Sequence, residues 1–299
     1  PLAYTINLDL MAAYGRSRHG THTALGHAGY PHDVIFTFDP GFAEFVEKRA
    51  TELEIYRNDP NLFGYFTDNE LPFGRLNLDN YLKLPPDEPG YIAAKKWMDE
   101  HHATGTTDDL RKQFLAYEAD TYFSIVTAVI RRHDPHHMIL GCRFYGPARF
   151  YEELIRSAGR YLDVVSFNYY NRWTPDPAEM ANWVDWSGRP FLASEFYVKG
   201  EDSGLGNQSG AGWIVHTQRD RGLFYQNFAL GLLQSGGCIG WHWFKYQDND
   251  PTQVNAEPSN VDGNKGIVDR NYAPYIPLLD AMSALNRNRY ALADYFSKP

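Results

Sequence analysis

Two glutamates that end apolar segments are the residues best suited to chemistry in this chain. Glu70 closes LFGYFTDNE (62–70), and Glu195 closes PFLASE (190–195). Hydrolysis of a glycosidic bond needs two carboxyl groups, one protonated to donate to the leaving oxygen and one ionised to attack the anomeric carbon. Two like charges in one pocket resist joint ionisation, so such a pair holds different pKa values. The glutamates therefore indicate a glycosidase, against the alternative of strands that simply run into solvent.

Apolar strand patterns alternate with helical patterns along the chain. Strands are predicted at 3–10, 62–68, 137–144, 162–170, 190–198 and 238–246, and helices at 41–58, 91–101, 108–132, 149–159, 212–235 and 274–286. Short, mostly apolar strands separated by helices are typical of a parallel sheet covered on both faces. Several strands become polar at their carboxyl ends, which form the active face of a barrel of alternating strands and helices.

The number of strand–helix units falls short of a complete barrel. About six units can be counted where a (β/α)8 barrel has eight. We therefore expect an α/β fold, a (β/α)8 TIM barrel in which residues 1–299 form one catalytic domain and supply strands three to eight. The first two units would lie before residue 3. An open barrel would expose two strand edges, so we expect the rest of a longer polypeptide, or another chain, to complete it.

Composition argues against several classes of function. The 299 residues carry a net charge of −9 from scattered acids, which does not suit a nucleic-acid-binding protein. No segment reaches the roughly 20 apolar residues that span a bilayer. Cys142 and Cys238 are predicted to be buried thiols rather than a disulfide framework. Aromatic residues make up 15% of the chain; they suit stacking on sugar faces, although a large aromatic core accounts for most of them equally well.

The residues around both glutamates resemble a known group of enzymes. Asn69-Glu70 at the end of one strand and Glu195 three strands later resemble the clan of retaining (β/α)8 glycoside hydrolases. The strings GYFTDNEL, SFNYY, SEF and GWHWFKYQD look like the β-agarase and porphyranase branch of that clan. The resemblance covers most of the chain from residue 3 onward, without the clan's first two strands.

The resemblance implies an activity and its setting. It implies cleavage of β-linkages in an agarose-like galactan by double displacement, with a poly- or oligosaccharide as substrate and no cofactor. It also implies secretion or a periplasmic location, for which the first residues, PLAYTINLDL, contain no signal-peptide pattern. No nucleic-acid or membrane partner is expected.

Individual roles also come from the resemblance. Glu70 corresponds to the general acid/base, Glu195 to the nucleophile, and Asn69 to the residue that hydrogen-bonds the 2-hydroxyl of the cleaved sugar. Tyr170 corresponds to a tyrosine that orients the nucleophile, and its phenol would keep that carboxylate ionised; the alternative is a core tyrosine with a satisfied hydroxyl. Asp68 is either a site residue or a residue that hydrogen-bonds the barrel wall.

Three further residues near the predicted active face are candidate substrate contacts. Trp243 on the last strand would lie under the sugar at the cleavage subsite, as the resemblance implies, whereas Trp241 is predicted to pack in the interior. Asn168 points the same way as Tyr170 by strand alternation, and either contacts the sugar or fills a barrel layer. Arg143 ends the fifth barrel strand and is expected to face the active mouth, because a buried unpaired arginine would be costly.

Segment 16–33, rich in Gly and His, is predicted to be a loop after the third barrel strand. Arg16 and His19 are its candidate contacts to a sugar or a sulfate. Its histidines stand at spacings that match no zinc pattern, so we expect no metal site.

Two other functions are compatible with much of the sequence. The first is hydrolysis of another β-linked substrate, such as a mannan, a glucan or a β-galactoside. The second is a non-catalytic carbohydrate-binding barrel, against which the presence of Asn69, Glu70 and Glu195 together argues, since a binding module has no need of both acids.

Overall fold

Helices and strands alternate through residues 2–298, the part of the chain that the computed structural model describes. The strands are β1 Tyr4–Asn7, β2 His22–Thr23, β3 Ala28–Gly29, β4 Leu62–Phe66, β5 Met138–Gly141, β6 Val165–Asn168, β7 Phe191–Glu195, β8 Lys199–Gly200, β9 Ile214–Val215 and β10 Cys238–Trp241. The α-helices are α1 Leu10–Ser17, α2 Phe42–Ala50, α3 Asn77–Tyr81, α4 Pro89–Glu100, α5 Asp108–His133, α6 Glu152–Gly159, α7 Pro177–Ser187, α8 Gln218–Gln234 and α9 Ile276–Phe296.

The chain divides into two compact units. The described residues of the first are 2–166 and 185–189, and those of the second are 167–184 and 190–298. The first unit contains the sheet β1-β4-β5, and the second contains the sheet β6-β7-β10, with the boundary between the units falling inside β6.

In the first sheet β4 pairs in parallel with β1 on one side and β5 on the other. Tyr65 of β4 lies opposite Ile6 and Ile139 of these neighbours. Gly64 allows the close approach of β5, because a Cβ at this position would lie 2.3 Å from the carbonyl oxygen of Met138. Since the three strands run in the same direction, their carboxyl ends meet at one edge of this sheet.

Helices α3, α4 and α5 enclose an aromatic core in the first unit. Its buried members are Val34, Leu78, Tyr81, Ala94, Trp97, Met98 and Phe114. The ring of Phe114 contacts those of Trp97 and Tyr81 at centroid distances of 5.3 and 5.6 Å. Thr107 caps α5 by accepting a hydrogen bond from the backbone of Leu110.

In the second sheet β7 lies between β6 and β10 and pairs with β10 in parallel. Phe196, just after β7, stacks on Phe228 of α8 with ring centroids 4.4 Å apart. Helix α8 packs along α9 and begins at a capping box formed by Thr217 and Asp220. These contacts fix the carboxyl end of β7 against a rigid helix pair.

Three helices lie where the sequence patterns predicted none. Helix α1 begins at the last residue of the strand predicted at 3–10, and α3 and α7 fall between the predicted elements. The first turn of α1 is held by the carboxyl group of Asp68, which accepts hydrogen bonds from Met11 and Ala12. A contact between residues so far apart in the chain leaves no local sequence pattern.

Three predicted helix bounds were also wrong. Helix α2 ends at Ala50 rather than at 58, because a 3₁₀ helix over Thr51–Ile55 follows it. Helix α8 begins at Gln218 rather than at 212, because its capping box fixes the start and Ile214–Val215 form a strand instead. Helix α9 continues to Phe296 rather than ending near 286, since no Gly or Pro interrupts residues 287–296.

The predicted alternation of parallel strands and helices is confirmed, whereas closure of a barrel stays a prediction. Both cysteines are free thiols; Cys142 is buried as expected, whereas Cys238 is only half-buried. Within residues 2–298, no helix combines the length and the apolar character that crossing a bilayer requires.

Candidate active site

Glu70 follows β4 in the first unit at a position where the backbone is still paired. The amide of Thr67 donates to the carbonyl of Gly141 (2.8 Å), and the amide of Glu70 donates to that of Cys142 (2.9 Å). Glu70 has a φ of 52°, a left-handed backbone that is uncommon for a residue with a side chain. Only 12% of its side chain is exposed. The carboxyl group is thus held at the end of a buried strand rather than in open solvent, and such unusual backbones cluster at functional sites.

A histidine and an arginine lie near this strand end. His27 Nδ1 is 3.9 Å from Glu70 Oε2. Burial lowers the pKa of His27, although the carboxylate of Asp33 opposes this shift, so the neutral imidazole is favoured. The guanidinium of Arg143 lies 5.2 Å from the ring centroid of Phe66, the last residue of β4. Arg143 therefore lies at the same edge of the sheet as Glu70, as the sequence predicted for the strand ends.

Asp68 is fully buried and serves as an anchor for α1. Its carboxyl oxygens accept hydrogen bonds from the amides of Met11 (2.9 and 3.0 Å) and Ala12 (3.1 Å) and from the hydroxyl of Tyr122 (2.6 Å). Burial raises the pKa of Asp68 to about 7, although these hydrogen bonds oppose the shift. A carboxylate at the start of a helix is also favoured by the helix dipole. Of the two interpretations of Asp68, these contacts favour the structural one.

The remaining candidates of the first unit lie nearer its surface. Asn69, beside Glu70, is half-buried. Arg16 and His19 are exposed, but Arg16 belongs to the last turn of α1 rather than to a loop. The amide of His19 donates to the carbonyl of Arg16 (3.0 Å). Both residues therefore lie at the carboxyl end of α1.

Glu195 is the last residue of β7 in the second unit, and only 6% of it is exposed. The hydroxyl of Tyr170 donates to Glu195 Oε2 at 2.8 Å. The amide of Tyr169 donates to the carbonyl of Glu195 at 2.7 Å. A hydroxyl donated to a carboxylate stabilises the ionised form and orients the group. This environment suits a carboxyl group that must stay ionised and fixed.

A second tyrosine extends these contacts away from Glu195. The ring of Tyr197 meets that of Tyr170 edge-on, with centroids 5.4 Å apart. The hydroxyl of Tyr197 donates to Asn260 Oδ1 (2.8 Å), and Asn260 Nδ2 donates to Glu257 Oε1 (3.0 Å). None of these three residues was predicted to belong to the site. Tyr197 lies within the strand predicted at 190–198, whereas only the fold brings Asn260 and Glu257 near β7.

Asn168 and Trp243 have contacts that account for them without a sugar. The buried side chain of Asn168 accepts a hydrogen bond from Ser194 Oγ (2.8 Å). The ring of Trp243 lies 6.0 Å from that of Tyr225 on α8, and Trp241 Nε1 donates to the hydroxyl of the same tyrosine (2.8 Å). These contacts favour packing against α8 for both tryptophans, and a sugar platform at Trp243 stays a prediction.

Two tryptophans that the sequence did not single out form a half-exposed pair in the second unit. The rings of Trp173 and Trp213 are nearly parallel, with centroids 6.3 Å apart, and the residues are 43% and 44% exposed. A small cavity of about 10 Å³, lined by Tyr170, Tyr197 and Trp213 among others, lies beside Trp213. Exposed aromatic faces suit the apolar face of a sugar ring. The signal in the sequence was a tryptophan in each of two loops, NRWTPD and GAGWIV.

Within residues 2–298, no three side chains of His, Cys, Asp or Glu converge to hold a metal ion. The histidines of segment 16–33 are dispersed: His19 follows α1, His22 lies in β2, and His27 lies beside Glu70. The candidate site consists instead of acids, amides and aromatic residues.

Each unit gathers part of the predicted site. In the first unit, Glu70 lies at the same edge of the sheet as Arg143, and His27 lies next to it. In the second, Glu195 is held by Tyr170. The ring of Trp243 lies 5.6 Å from that of Phe196, the residue after Glu195, whereas the described hydrogen bond between His19 and Arg16 lies at the end of α1.

Comparison with known proteins identifies several that are similar to this chain. No family model matches the sequence. Beta-agarase B of Vibrio sp. (strain JT0107) is 27% identical over 304 residues, an alignment that covers 85% of this chain and 30% of the agarase. The crystal structure of BpGH50 is 35% identical, with a TM-score of 0.86, over 100% of this chain and 65% of that one. The structure of an exo-beta-agarase is 25% identical, with a TM-score of 0.73, over 86% of this chain and 39% of that one.

The sequence and the fold therefore relate the chain to glycoside hydrolases. More particularly, it is similar to β-agarases, as the residues around Glu70 and Glu195 predicted. The chain spans 30% of the length of the curated agarase and less than two thirds, 65%, of BpGH50.

Proposed function

We propose that this chain is the catalytic part of a retaining glycoside hydrolase that cleaves β-linkages in an agarose-like galactan. The similarity to β-agarases over 85% of the chain supports the substrate class. The observation that carries the proposal is the hydrogen bond from Tyr170 to Glu195, a buried carboxyl group at the end of a parallel strand. A buried carboxylate that is oriented by a hydrogen bond from a hydroxyl group suits nucleophilic attack better than a surface or structural role.

In the proposed mechanism the two glutamates have different roles. Glu195 attacks the anomeric carbon and forms a glycosyl ester, while Glu70 donates its proton to the oxygen of the departing sugar. Glu70 then removes a proton from water, whose oxygen attacks the anomeric carbon and releases Glu195 as a carboxylate. Proton donation and removal by one carboxyl group require no cofactor.

The other predicted site residues are proposed contacts to the substrate. Asn69 would hydrogen-bond the 2-hydroxyl of the cleaved sugar, and Arg143 would contact the sugar near the strand end that carries Glu70. Arg16 and His19, which are exposed, would contact more distant sugars or their sulfates. Asn168 and Trp243 are weaker candidates, because packing contacts account for both.

We also propose that the two sheets belong to a (β/α)8 barrel to which this chain contributes strands three to eight. The parallel pairing within each sheet and the alternation of strands with helices support this architecture. The remaining strands would come from a longer polypeptide or from another chain. A secreted or periplasmic enzyme would meet its polysaccharide outside the cytoplasm, and this location is part of the proposal.

Hydrolysis of a panel of polysaccharides tests the function. The panel contains agarose, porphyran, β-mannan and β-glucan, and reducing ends released by the wild type and by Glu195→Gln are compared. Glu44→Gln serves as the matched control, since Glu44 lies on the exposed side of α2. We expect release from the galactans by the wild type and the control only.

Two outcomes would contradict the proposal in different ways. Hydrolysis confined to mannan or glucan would agree with the proposed glycosidase chemistry but would contradict the proposed galactan substrate. Binding of agarose by the wild type without any release of reducing ends would favour a non-catalytic carbohydrate-binding protein.

A further inference from the structure

Two lysines and one glutamate form an ion cluster close to the carboxyl end of β7. Glu257 pairs with the ammonium groups of both Lys265 and Lys245. The side chain of Lys265 is fully buried, whereas Lys245 and Glu257 are 31% and 25% exposed. A buried ammonium group is costly unless it is well paired. The cluster therefore requires more than one carboxylate for its two positive charges.

Backbone pairing places this cluster beside Glu195. The amide of Phe244 donates to the carbonyl of Phe196 (3.1 Å), the residue that follows Glu195. The next amide, that of Lys245, donates to the carbonyl of Lys265 (3.1 Å). The ammonium group of Lys265 lies 4.8 Å from the centroid of the Phe244 ring. The ammonium group of Lys265 therefore lies on the ring of Phe244, and the backbone of Phe244 pairs with the residue that follows Glu195.

Glu195 supplies a second carboxylate that attracts the buried ammonium group of the cluster. Glu257 neutralises one ammonium group, and the carboxylate of Glu195 also attracts Lys265. Burial lowers the pKa of Lys265 to about 8, and the carboxylates of Glu257 and Glu195 oppose this shift. At pH values where a carboxyl group of ordinary pKa titrates, Lys265 is therefore positively charged.

We propose that Lys265 is a positioning residue whose charge, balanced by Glu257, keeps Glu195 ionised for nucleophilic attack. The inference rests on the proposed role of Glu195 as nucleophile. Positive charge beside a carboxylate favours its ionised form, and a second carboxylate nearby disfavours it. The two members of the pair therefore act on Glu195 in opposite directions. Because the cluster contains two positive charges and one negative charge, its net effect favours the ionised form of Glu195.

The same electrostatics acts on the second half of the reaction. Glu195 loses its charge when its oxygen bonds to the anomeric carbon, and regains it when water breaks that ester. A nearby ammonium group stabilises the carboxylate that leaves in this second step. Release of the sugar from Glu195 is therefore also faster with Lys265 charged.

Several other groups face Glu195 and enter the test. Tyr170 donates a hydrogen bond to it, and the ring of Tyr197 packs on that of Tyr170. The backbone of His242 donates to the carbonyl of Ala193 in β7 (2.9 Å), so a histidine follows the adjacent strand. The experiment must therefore distinguish titration of the His242 imidazole from titration of the Glu195 carboxyl group.

The pH profile of kcat/KM in two single variants tests the proposal. In Lys265→Met the acidic limb is expected to move up by about one pH unit, because Glu195 loses a neighbouring positive charge. In Glu257→Gln the limb is expected to move down, because a neighbouring negative charge is lost. Lys245→Met, which removes the more exposed ammonium group, is expected to move the limb up by less. Thermal unfolding of each variant monitors the fold.

Opposite shifts in Lys265→Met and Glu257→Gln distinguish an electrostatic role from a structural one. If the cluster only holds the chain together, both variants lower the unfolding temperature and neither moves the acidic limb, which would overturn the proposal. If Lys265→Met does not fold, the downward shift in Glu257→Gln and the upward shift in Lys245→Met decide the question alone.

Two controls separate the effect of Lys265 on Glu195 from the titration of His242 and from the proposed role of Glu195 itself. Both shifts are expected to persist in a His242→Asn background, and their loss there would assign the limb to the imidazole and overturn the proposal. Glu195→Gln is measured in parallel. Hydrolysis retained by that variant would refute the proposed nucleophile, whereas an inactive variant together with unmoved limbs would refute the role of Lys265 alone.

Discussion

Glu70 and Glu195 both lie at the carboxyl ends of buried parallel strands, yet their surroundings differ. Glu195 ends its strand, accepts a hydroxyl from Tyr170 at 2.8 Å and lies near a buried ammonium group. Glu70 lies four residues beyond β4 on a left-handed backbone, and His27, whose neutral form burial favours, lies 3.9 Å from it. The first environment favours the charged carboxylate, whereas the described neighbours of Glu70 are an imidazole whose neutral form is favoured and, at the same sheet edge, the guanidinium of Arg143. Two residues of one type are thus prepared for different tasks by their neighbours.

Removing the carboxyl group of Glu195 is expected to have the largest effect. Glu195→Ala should lower kcat by about four orders of magnitude or more on every substrate, because no glycosyl ester can form. Added azide should restore turnover of an aryl β-glycoside and give the α-glycosyl azide, since azide attacks from the face that the carboxylate has vacated. Product configuration by NMR checks this prediction, and a β-azide would reverse the assignment.

Removing the carboxyl group of Glu70 should have a smaller effect that depends on the substrate. Glu70→Ala should slow agarose hydrolysis by about 10²–10⁴-fold, the usual range for general acid–base catalysis. An aryl glycoside with an acidic leaving group needs no protonation, so its glycosyl ester should still form rapidly and should be trapped by azide as the β-azide. Equal losses on both substrates would remove Glu70 from the acid/base role.

Loss of the Tyr170 hydroxyl should weaken only the environment of Glu195. In Tyr170→Phe, kcat/KM at neutral pH should fall by about tenfold, as expected when a hydrogen bond to a charged group is lost. The acidic limb should also move to higher pH, because the hydrogen bond lowers the pKa of the carboxyl group that accepts it. A fall without a shift would indicate a role in packing.

A buried carboxyl group away from the site provides the contrasting case. Glu118 on α5 contacts Asn77 and Tyr81, and burial raises its pKa to about 8, although both contacts oppose the shift. The folded state therefore favours the protonated form, and the stability that this group contributes is lost as pH rises from its ordinary pKa through about 8.

Glu118→Gln should change stability and leave catalysis alone. Between pH 5 and pH 8 the free energy of unfolding of the wild type should decline by about 3 kcal/mol more than that of the variant. Asp68, whose pKa burial raises to about 7, adds a decline of the same sign to both proteins. Urea unfolding at the two pH values checks this, and equal declines would show that Glu118 is ionised throughout.

The sequence predicted the residues whose chemistry follows from local patterns. Polar residues after apolar runs indicated Glu70 and Glu195, and the resemblance implied a role for Tyr170, whose hydroxyl does contact Glu195. The alternation of strands and helices likewise followed from hydrophobic periodicity. These features depend on neighbours within a few positions in the chain.

Features that depend on distant residues were missed. The start of α1 is fixed by Asp68, and the partners of Lys265 come from separate loops. Alternation along the last strand could not show that Trp243 packs on α8 while Trp173 and Trp213 are half-exposed. Side-chain direction at the ends of strands depends on the packing of helices that the local pattern does not contain.

Trapping of the glycosyl ester tests the central claim most directly. A 2-deoxy-2-fluoro galactosyl donor with a good leaving group slows release of the sugar, so the covalent intermediate accumulates. We expect the intact enzyme to gain the mass of one sugar, and fragmentation to assign that mass to Glu195. A label on any other residue, or active enzyme that turns over substrate without ever gaining the mass, would contradict the assignment of Glu195 as the nucleophile.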